Sequence, residues 1–169
     1  MREIPLTRGY VAIVDDEDYE RVARFKWQVK TETADSQTCY AQRNQPRPRR
    51  KTEFLHRVVM RVTNPSQHVD HINGNGLDCR KENLRIATIS QNARNTRKRG
   101  TFTSRFKGVS RFRGIRWQAQ IRLQNKNTHL GVYTDEVEAA RVYDAAARAN
   151  YGEFARLNFP GPNERSAHG

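Results

Sequence analysis

The hydrophobic and polar positions fall into short segments of differing period. Tyr10-Val11-Ala12-Ile13-Val14 is a β-rich run and predicts a strand. From Asp16 to Phe25 the period lengthens: Tyr19, Val22 and Phe25 share one side, acids cluster at the start, and Arg21, Arg24 and Lys26 lie near the end. A helix dipole favours that charge order, so a short helix is expected. Trp27-Gln28-Val29 predicts a second strand, and Cys39-Tyr40-Ala41 and Thr52-Glu53-Phe54-Leu55 a strand pair around a basic, Pro-containing loop from Arg43 to Lys51. His56-Arg57-Val58-Val59-Met60 opens a helix that ends before Asn64-Pro65.

Between His68 and Asn95 the pattern is denser. Val69 to Ile72 reads as a strand, Asn73-Gly74-Asn75-Gly76 as a tight reversal, and Leu84-Arg85-Ile86 as a returning strand. Thr88 and Gln91 form a T-x-x-Q capping box, which starts a helix carrying Asn92. A basic linker over residues 96–103 follows and marks a domain boundary. Beyond it, Gly108 to Phe112, Arg116 to Arg122 and Thr128 to Val132 predict three strands. In the middle one Trp117, Ala119 and Ile121 alternate with Arg116, Gln118, Gln120 and Arg122, so one face is core and the other polar. Thr134 is the expected cap of a helix lined by Val137, Ala140, Tyr143 and Ala147 and stopped at Gly152. The fold class is therefore α+β: a first domain over residues 1–95, in which a small α+β unit (1–67) leads into the strand-turn-strand-helix stretch of 68–95, then three antiparallel strands packed on one helix over 104–160, with a flexible tail over 161–169.

Charge adds the partner. The chain carries a net +13. From Arg85 to Lys126 twelve Lys or Arg occur with no acid between Glu82 and Asp135. Solvated surfaces normally mix signs, so a polyanion is implied, and nucleic acid comes first. Cys39 and Cys79 are too few for a disulfide framework or a zinc knuckle, and Cys79 is expected to be a bystander. No apolar run approaches the ~20 residues that span a membrane. The opening MREIPLTRGY has no hydrophobic stretch after its first charges, so no signal peptide is expected there and a cytoplasmic location is.

The candidate chemistry lies in the dense stretch. Hydrolysis of a phosphodiester needs an activated water and stabilised charge on the phosphate. His71 can take the proton, and the Asp70 carboxylate and the Asn92 side-chain carbonyl are hard oxygen ligands of the kind Mg²⁺ uses. Asn83 can hold the His71 ring or the turn. Asn95 rivals Asn92, nearly one helical turn later. Adjacent strand residues point to opposite faces, so Asp70 and His71 can serve one phosphate only at a twisted or ending strand, or with the phosphate over its edge. His56 is expected to be structural, with a supporting place behind the site as its alternative.

VDHINGNGLDCRKENLRIATISQNARN resembles the HNH endonuclease, or ββα-metal, motif. More narrowly, it resembles the branch of phage and intron-encoded homing endonucleases whose third signature residue is Asn. Asp70 and His71, Asn83 twelve residues later and Asn92 nine further on fit that spacing. The resemblance covers about residues 1–95, including FLHRVVM ahead of the site. It implies cleavage of double-stranded DNA with a divalent ion (Mg²⁺, or Mn²⁺), His71 as general base, Asp70 and Asn92 as metal ligands, and Asn83 as the orienting residue. If phage-encoded, the protein acts in the bacterial host cell. KGVSRFRGIRWQAQIRL, HLGVYTDEVEAARVYDAAARANYG and ARLNFP resemble the plant Apetala-type (ethylene-response-factor) DNA-binding domain, which lays a three-stranded sheet in the major groove. Arg122 matches a base-contacting Arg of that family. Ser110 and Phe112 replace Arg, Gln120 replaces Glu, and His129 replaces Trp, so the plant target sequence does not carry over.

The expected DNA contacts are Lys107, Arg111, Arg113, Arg116 and Arg122, with Gln118 and Gln120 as base readers. No obligate protein partner is expected; a monomer would nick one strand, a dimer could cut both. The rival from another class is a sequence-specific DNA-binding regulator whose nuclease unit is only structural. An RNA-binding role is weaker, for want of exposed aromatics that stack bases.

Overall fold

The computed structural model describes residues 1–31, 39–46, 48, 51–94, 103–162, 164 and 166–167. The chain divides into two compact units, Met1–Ile89 and Ser90–Gly169. Asn95 and nearly all of the expected linker lie outside the described residues. Among those described, no helix is long and apolar enough to cross a membrane.

The first unit is built from β1 (Arg2–Pro5), β2 (Val11–Val14), α1 (Asp16–Ala23), β3 (Gln28–Thr31), β4 (Cys39–Asn44), β5 (Thr52–Phe54), α2 (Leu55–Val59), β6 (His68–His71) and β7 (Leu84–Ala87). It contains three antiparallel sheets: β1-β2, β3-β4-β5 and β6-β7. The hydrophobic run of β2 and the apolar side of α1 meet in one core, where Ile4, Val14, Val22, Trp27, Leu55, Val59, Cys79 and Leu84 are buried. Trp27 enters it without an unmet donor, since its indole N–H reaches the Val22 carbonyl at 2.9 Å. The pairing of β1 with β2 is additional to the expected strands.

The connection from β6 to β7 differs from the tight reversal expected of the Asn-Gly repeats. It spans residues 72–83 and ends in a 3-10 turn, Lys81–Asn83. Asn73 and Asn75 each accept a backbone N–H two residues on, at 2.8 and 3.1 Å, so successive Asx turns wind the loop instead of closing a hairpin. Its later part is captured by β2: Ile13 N–H reaches Leu77 O at 2.9 Å, and Cys79 N–H reaches Ile13 O at 2.8 Å. Gly76 permits this course, because a Cβ there would stand 2.2 Å from Cys39 O and 2.7 Å from the Tyr40 ring.

The division between the units falls after the first residue of α3 (Ile89–Arg94), which begins directly after Thr88. The second unit continues with β8 (Val109–Phe112), β9 (Arg116–Leu123), β10 (Lys126–Tyr133) and α4 (Glu136–Tyr151), the sheet order being β10-β9-β8. Ala119, Ile121, Ala140, Tyr143 and Ala147 are buried between sheet and helix. The cap of α4 is Asp135, not the expected Thr134. The helix begins one residue later than the pattern suggests, and the Asp135 carboxylate accepts Glu138 N–H at 3.0 Å. Gly108 has a φ of +74°, and a Cβ there would lie 1.9 Å from the Tyr143 ring, so the chain enters β8 pressed against α4. Beyond Pro160, Glu164 pairs with Arg148 at 2.7 Å and Ala167 N–H reaches Leu157 O at 2.6 Å, which ties the described part of the expected tail back to its unit.

Candidate active site and DNA-facing sheet

Asp70 and His71 are the last two residues of β6, both 5% exposed. Being adjacent on a strand, they leave it in different directions. Asp70 stands opposite Arg85 of β7, whose Nε and Nη2 donate to Oδ2 at 2.9 and 2.7 Å. This largely buried ion pair fixes the carboxylate. The expected site did not include Arg85, although the strand-turn-strand pattern contains it; its pairing depends on register, which the loop length left open.

His71 turns the other way, into a box of rings. Tyr40 of β4 lies 5.7 Å away centroid to centroid, and His56 of α2 lies 4.9 Å away at an interplanar angle of 88°. Its Nε2 is 4.0 Å from Cys79 Sγ. Cys79, the expected bystander, therefore packs against the candidate base. Burial pushes its thiol far above the usual range, so it stays protonated. Burial lowers His71 to about 4, partly offset by the charges of Asp70 and Asp78. Burial likewise lowers His56 to about 3, helped by the charges of His71 and Arg57.

Both histidines are therefore neutral in the folded protein at neutral pH, against an ordinary value near 6.5. Once the pH drops below 6.5 the unfolded chain takes up protons that the folded one excludes. Folding stability is then expected to fall with decreasing pH from about 6.5, by up to about 1.4 kcal/mol per pH unit for each histidine, levelling off near the two folded values. Urea unfolding at pH 7, 6 and 5 checks this: a midpoint that does not move removes the buried neutral pair.

Asn83 holds the loop. Its Oδ1 accepts Asn73 N–H at 2.9 Å and its Nδ2 donates to Asp78 O at 2.8 Å, while its backbone carbonyl accepts Ile72 N–H at 2.8 Å. Of the two tasks open to it, the turn is the one these bonds serve. Asp78, absent from the expected site, is the loop's second anchor: Arg80 grips both its oxygens at 2.8 Å and Asn73 Nδ2 adds a bond of 2.9 Å. Arg80 is the main reason the Asp78 carboxyl lies below its usual range. The structure thus brings Asp70, His71 and Asn83 together around one loop. Asn92 is a half-buried residue of α3 and falls in the second unit.

Among the described residues no cluster of three or more His, Cys, Asp and Glu is arranged to hold a metal. The soft donors are turned inward, with Cys79 neutral and the Nε2 edge of His71 against it. A carboxylate oxygen such as Asp70 offers is the kind of ligand a hard cation takes while keeping several of its waters.

In the second unit, β9 carries Arg116, Gln118, Gln120 and Arg122 on the side away from α4. Register adds Phe112 and Ser110 from β8 and His129 from β10, opposite Arg116, Gln118 and Gln120 respectively. Gln118 Nε2 donates to His129 Nδ1 at 2.8 Å, which orients its amide. Two expected contacts are placed elsewhere. Arg111 stands opposite Trp117, on the helix-side parity, and its guanidinium lies over that ring at 5.1 Å. Lys107 is half-buried, donates to Arg94 O at 2.8 Å, and is lowered to about 8 by burial. Arg113 is exposed in the β8–β9 turn with φ +47°.

Residues 53–94 match the HNH endonuclease family; the span includes His56, Asp70, His71, Asn83 and Asn92. An uncharacterized HNH endonuclease of Acanthamoeba polyphaga mimivirus is 33% identical over 108 residues, 62% of this chain and 54% of the relative. The C-terminal region is similar to plant proteins of the AP2/ERF type. Dehydration-responsive element-binding protein 2A of Arabidopsis thaliana is 47% identical over 57 residues, 29% of this chain and 17% of the relative. Ethylene-responsive transcription factor 3 of Nicotiana tabacum is 45% identical over 65 residues, 37% of this chain and 29% of the relative. The chain thus spans about half or less of these relatives.

Proposed function

We propose that the protein is a divalent-metal-dependent DNA endonuclease whose second unit holds the duplex. The observation that carries this reading is His71, a buried neutral imidazole at the end of a strand, clamped beside a carboxylate fixed by Arg85, within residues that match the HNH family. The phosphate sits over the end of β6, where the diverging Asp70 and His71 can both reach it. His71 takes the proton of the attacking water. Asp70 and Asn92, the latter through its side-chain carbonyl, would hold the cation. A bound divalent ion supplies charge neutralisation on the phosphate and the leaving oxygen. Asn83 keeps the loop in place around these groups. Arg116 and Arg122 contact phosphates, while Gln118 and Gln120 face the base edges.

Purified protein, supercoiled plasmid and Mg²⁺ or Mn²⁺ test the proposal. Nicking is expected with the metal and none with chelator, while a gel shift persists in chelator because the sheet binds without the ion. Asn92→Ala should abolish nicking; if it cuts like the parent while Asn95→Ala is dead, the ligand moves to Asn95. The similarity to transcription factors favours one rival, a binding regulator. A plasmid left intact in both metals, with tight binding to one sequence, would establish it instead.

A further inference from the structure

His56 is the second residue of α2 and only 8% exposed. Its Nδ1 is buried with no hydrogen-bond partner. An unpaired polar atom in the core is destabilising, and an apolar side chain would avoid the cost. The surroundings show what the ring does. Phe54 stacks on it at 5.4 Å with 16° between planes, and Tyr40 meets it edge-on at 5.8 Å. Its remaining ring neighbour is His71, nearly perpendicular at 4.9 Å. Phe54 and Tyr40 fix His56, and His56 and Tyr40 then bound His71, with Cys79 at its Nε2 edge.

We infer that His56 is a positioning residue: a flat wedge between Phe54 and His71 that sets the plane of the His71 ring. The wedge keeps the Nε2 edge on Cys79 and so fixes the tilt of the ring at the end of β6. Imidazole, the smallest aromatic plate among the side chains, fits a gap of this width. An aliphatic side chain would fill the same volume but present no flat wall, leaving the His71 ring free to tilt. Misplacing a reacting group by about 1 Å can slow a reaction on the order of 100-fold without changing what binds. The inference rests on the nuclease reading of His71, but the contact itself can be measured without activity.

The test compares the full-length parent with His56→Leu and His56→Phe. Plasmid nicking in Mg²⁺ is followed across plasmid concentration. NMR of ring-labelled histidine follows His71 without metal or DNA. His56→Leu is expected to lower kcat on the order of 10- to 100-fold with KM within about twofold, and to broaden or split the His71 ring signals. His56→Phe, which restores a flat wall, is expected to recover most of the rate and a single set of signals. An unchanged kcat in folded His56→Leu overturns the inference, as do sharp, unshifted His71 signals. If Phe is as slow as Leu, the Nδ1 nitrogen and not the wall carries the role, and the wedge is again overturned. Should His56→Leu not fold, a folded His56→Phe with sharp His71 signals and near-parental kcat supports the wedge, and one with lost kcat overturns it. A parent that cuts nothing removes the nuclease reading alone, because the NMR comparison still decides whether His56 orders the ring.

Discussion

His71→Ala is expected to slow plasmid nicking about 1,000-fold while leaving the gel shift intact, within the span that positioned general bases contribute. The ring is 5% exposed and contacts Tyr40, His56 and Cys79, so alanine removes the proposed base and leaves a small void lined by them. The proposed DNA-holding groups lie on the second unit and are untouched. The pH profile gives an independent handle. Burial lowers this imidazole to about 4, so the base is unprotonated at every pH above about 5. The rate should therefore stay level from pH 8 down to about 5 as far as this group governs it, and fall as the pH passes through about 4. A fall centred near 6.5 would mean that the base titrates like an exposed histidine and is not the buried ring. If His71→Ala cuts as fast as the parent, the base lies elsewhere.

Much of this site is legible in the chain because its parts are local. Asp70 and His71 are neighbours, Asn83 and Asn92 follow at fixed spacing, and strand, loop, strand and helix appear in order. What is not legible is non-local. His56 reaches His71 from a helix, Tyr40 from another sheet, and the stretch Leu77–Cys79 docks along β2, some sixty residues earlier in the chain. No periodicity encodes those approaches. The loop from β6 to β7 misleads because Asn-Gly also suits Asx turns, which extend a loop as readily as they close one.

The second unit shows the opposite limitation. Its alternation gives both faces of β9 correctly, since parity within one strand is a local property. Parity between strands needs the register. With Arg111 opposite Trp117, the most basic-looking strand start turns its Arg toward the helix side, and Phe112 and Ser110 take the free face. The charge run argues for a polyanionic partner only in aggregate. It does not say which cations are held inward, as Lys107 is by the last carbonyl of α3.

Asp144→Ala is expected to unfold the second unit at physiological temperature and leave the first one folded. Asp144 is 1% exposed in the middle of α4. Its Oδ1 accepts both Asn158 N–H at 2.9 Å and Asn158 Nδ2 at 3.0 Å, and its Oδ2 accepts Phe159 N–H at 2.7 Å. Asn158 in turn bonds the backbone of Lys107 in both directions, at 2.7 and 3.1 Å. One carboxylate thus ties the segment after α4 to the helix and, through Asn158, to the entry of β8. Alanine strands three donors, two of them on a buried residue, and each costs about 1–3 kcal/mol when left unmet. Even the lower end of the sum, about 3 kcal/mol, approaches the whole stability of a small domain. Asp144→Asn, which keeps one acceptor oxygen, should lose less. The chain's two tryptophans separate the outcomes, because Trp27 is buried in the first core and Trp117 packs in the second. In Asp144→Ala the Trp117 emission should shift to the red at 37 °C, read in a Trp27→Phe background, while Trp27 keeps its buried emission in a Trp117→Phe background. DNA retention on a gel should be lost with the first change. Parental melting of both tryptophans would show that the Asp144 network does not hold the unit.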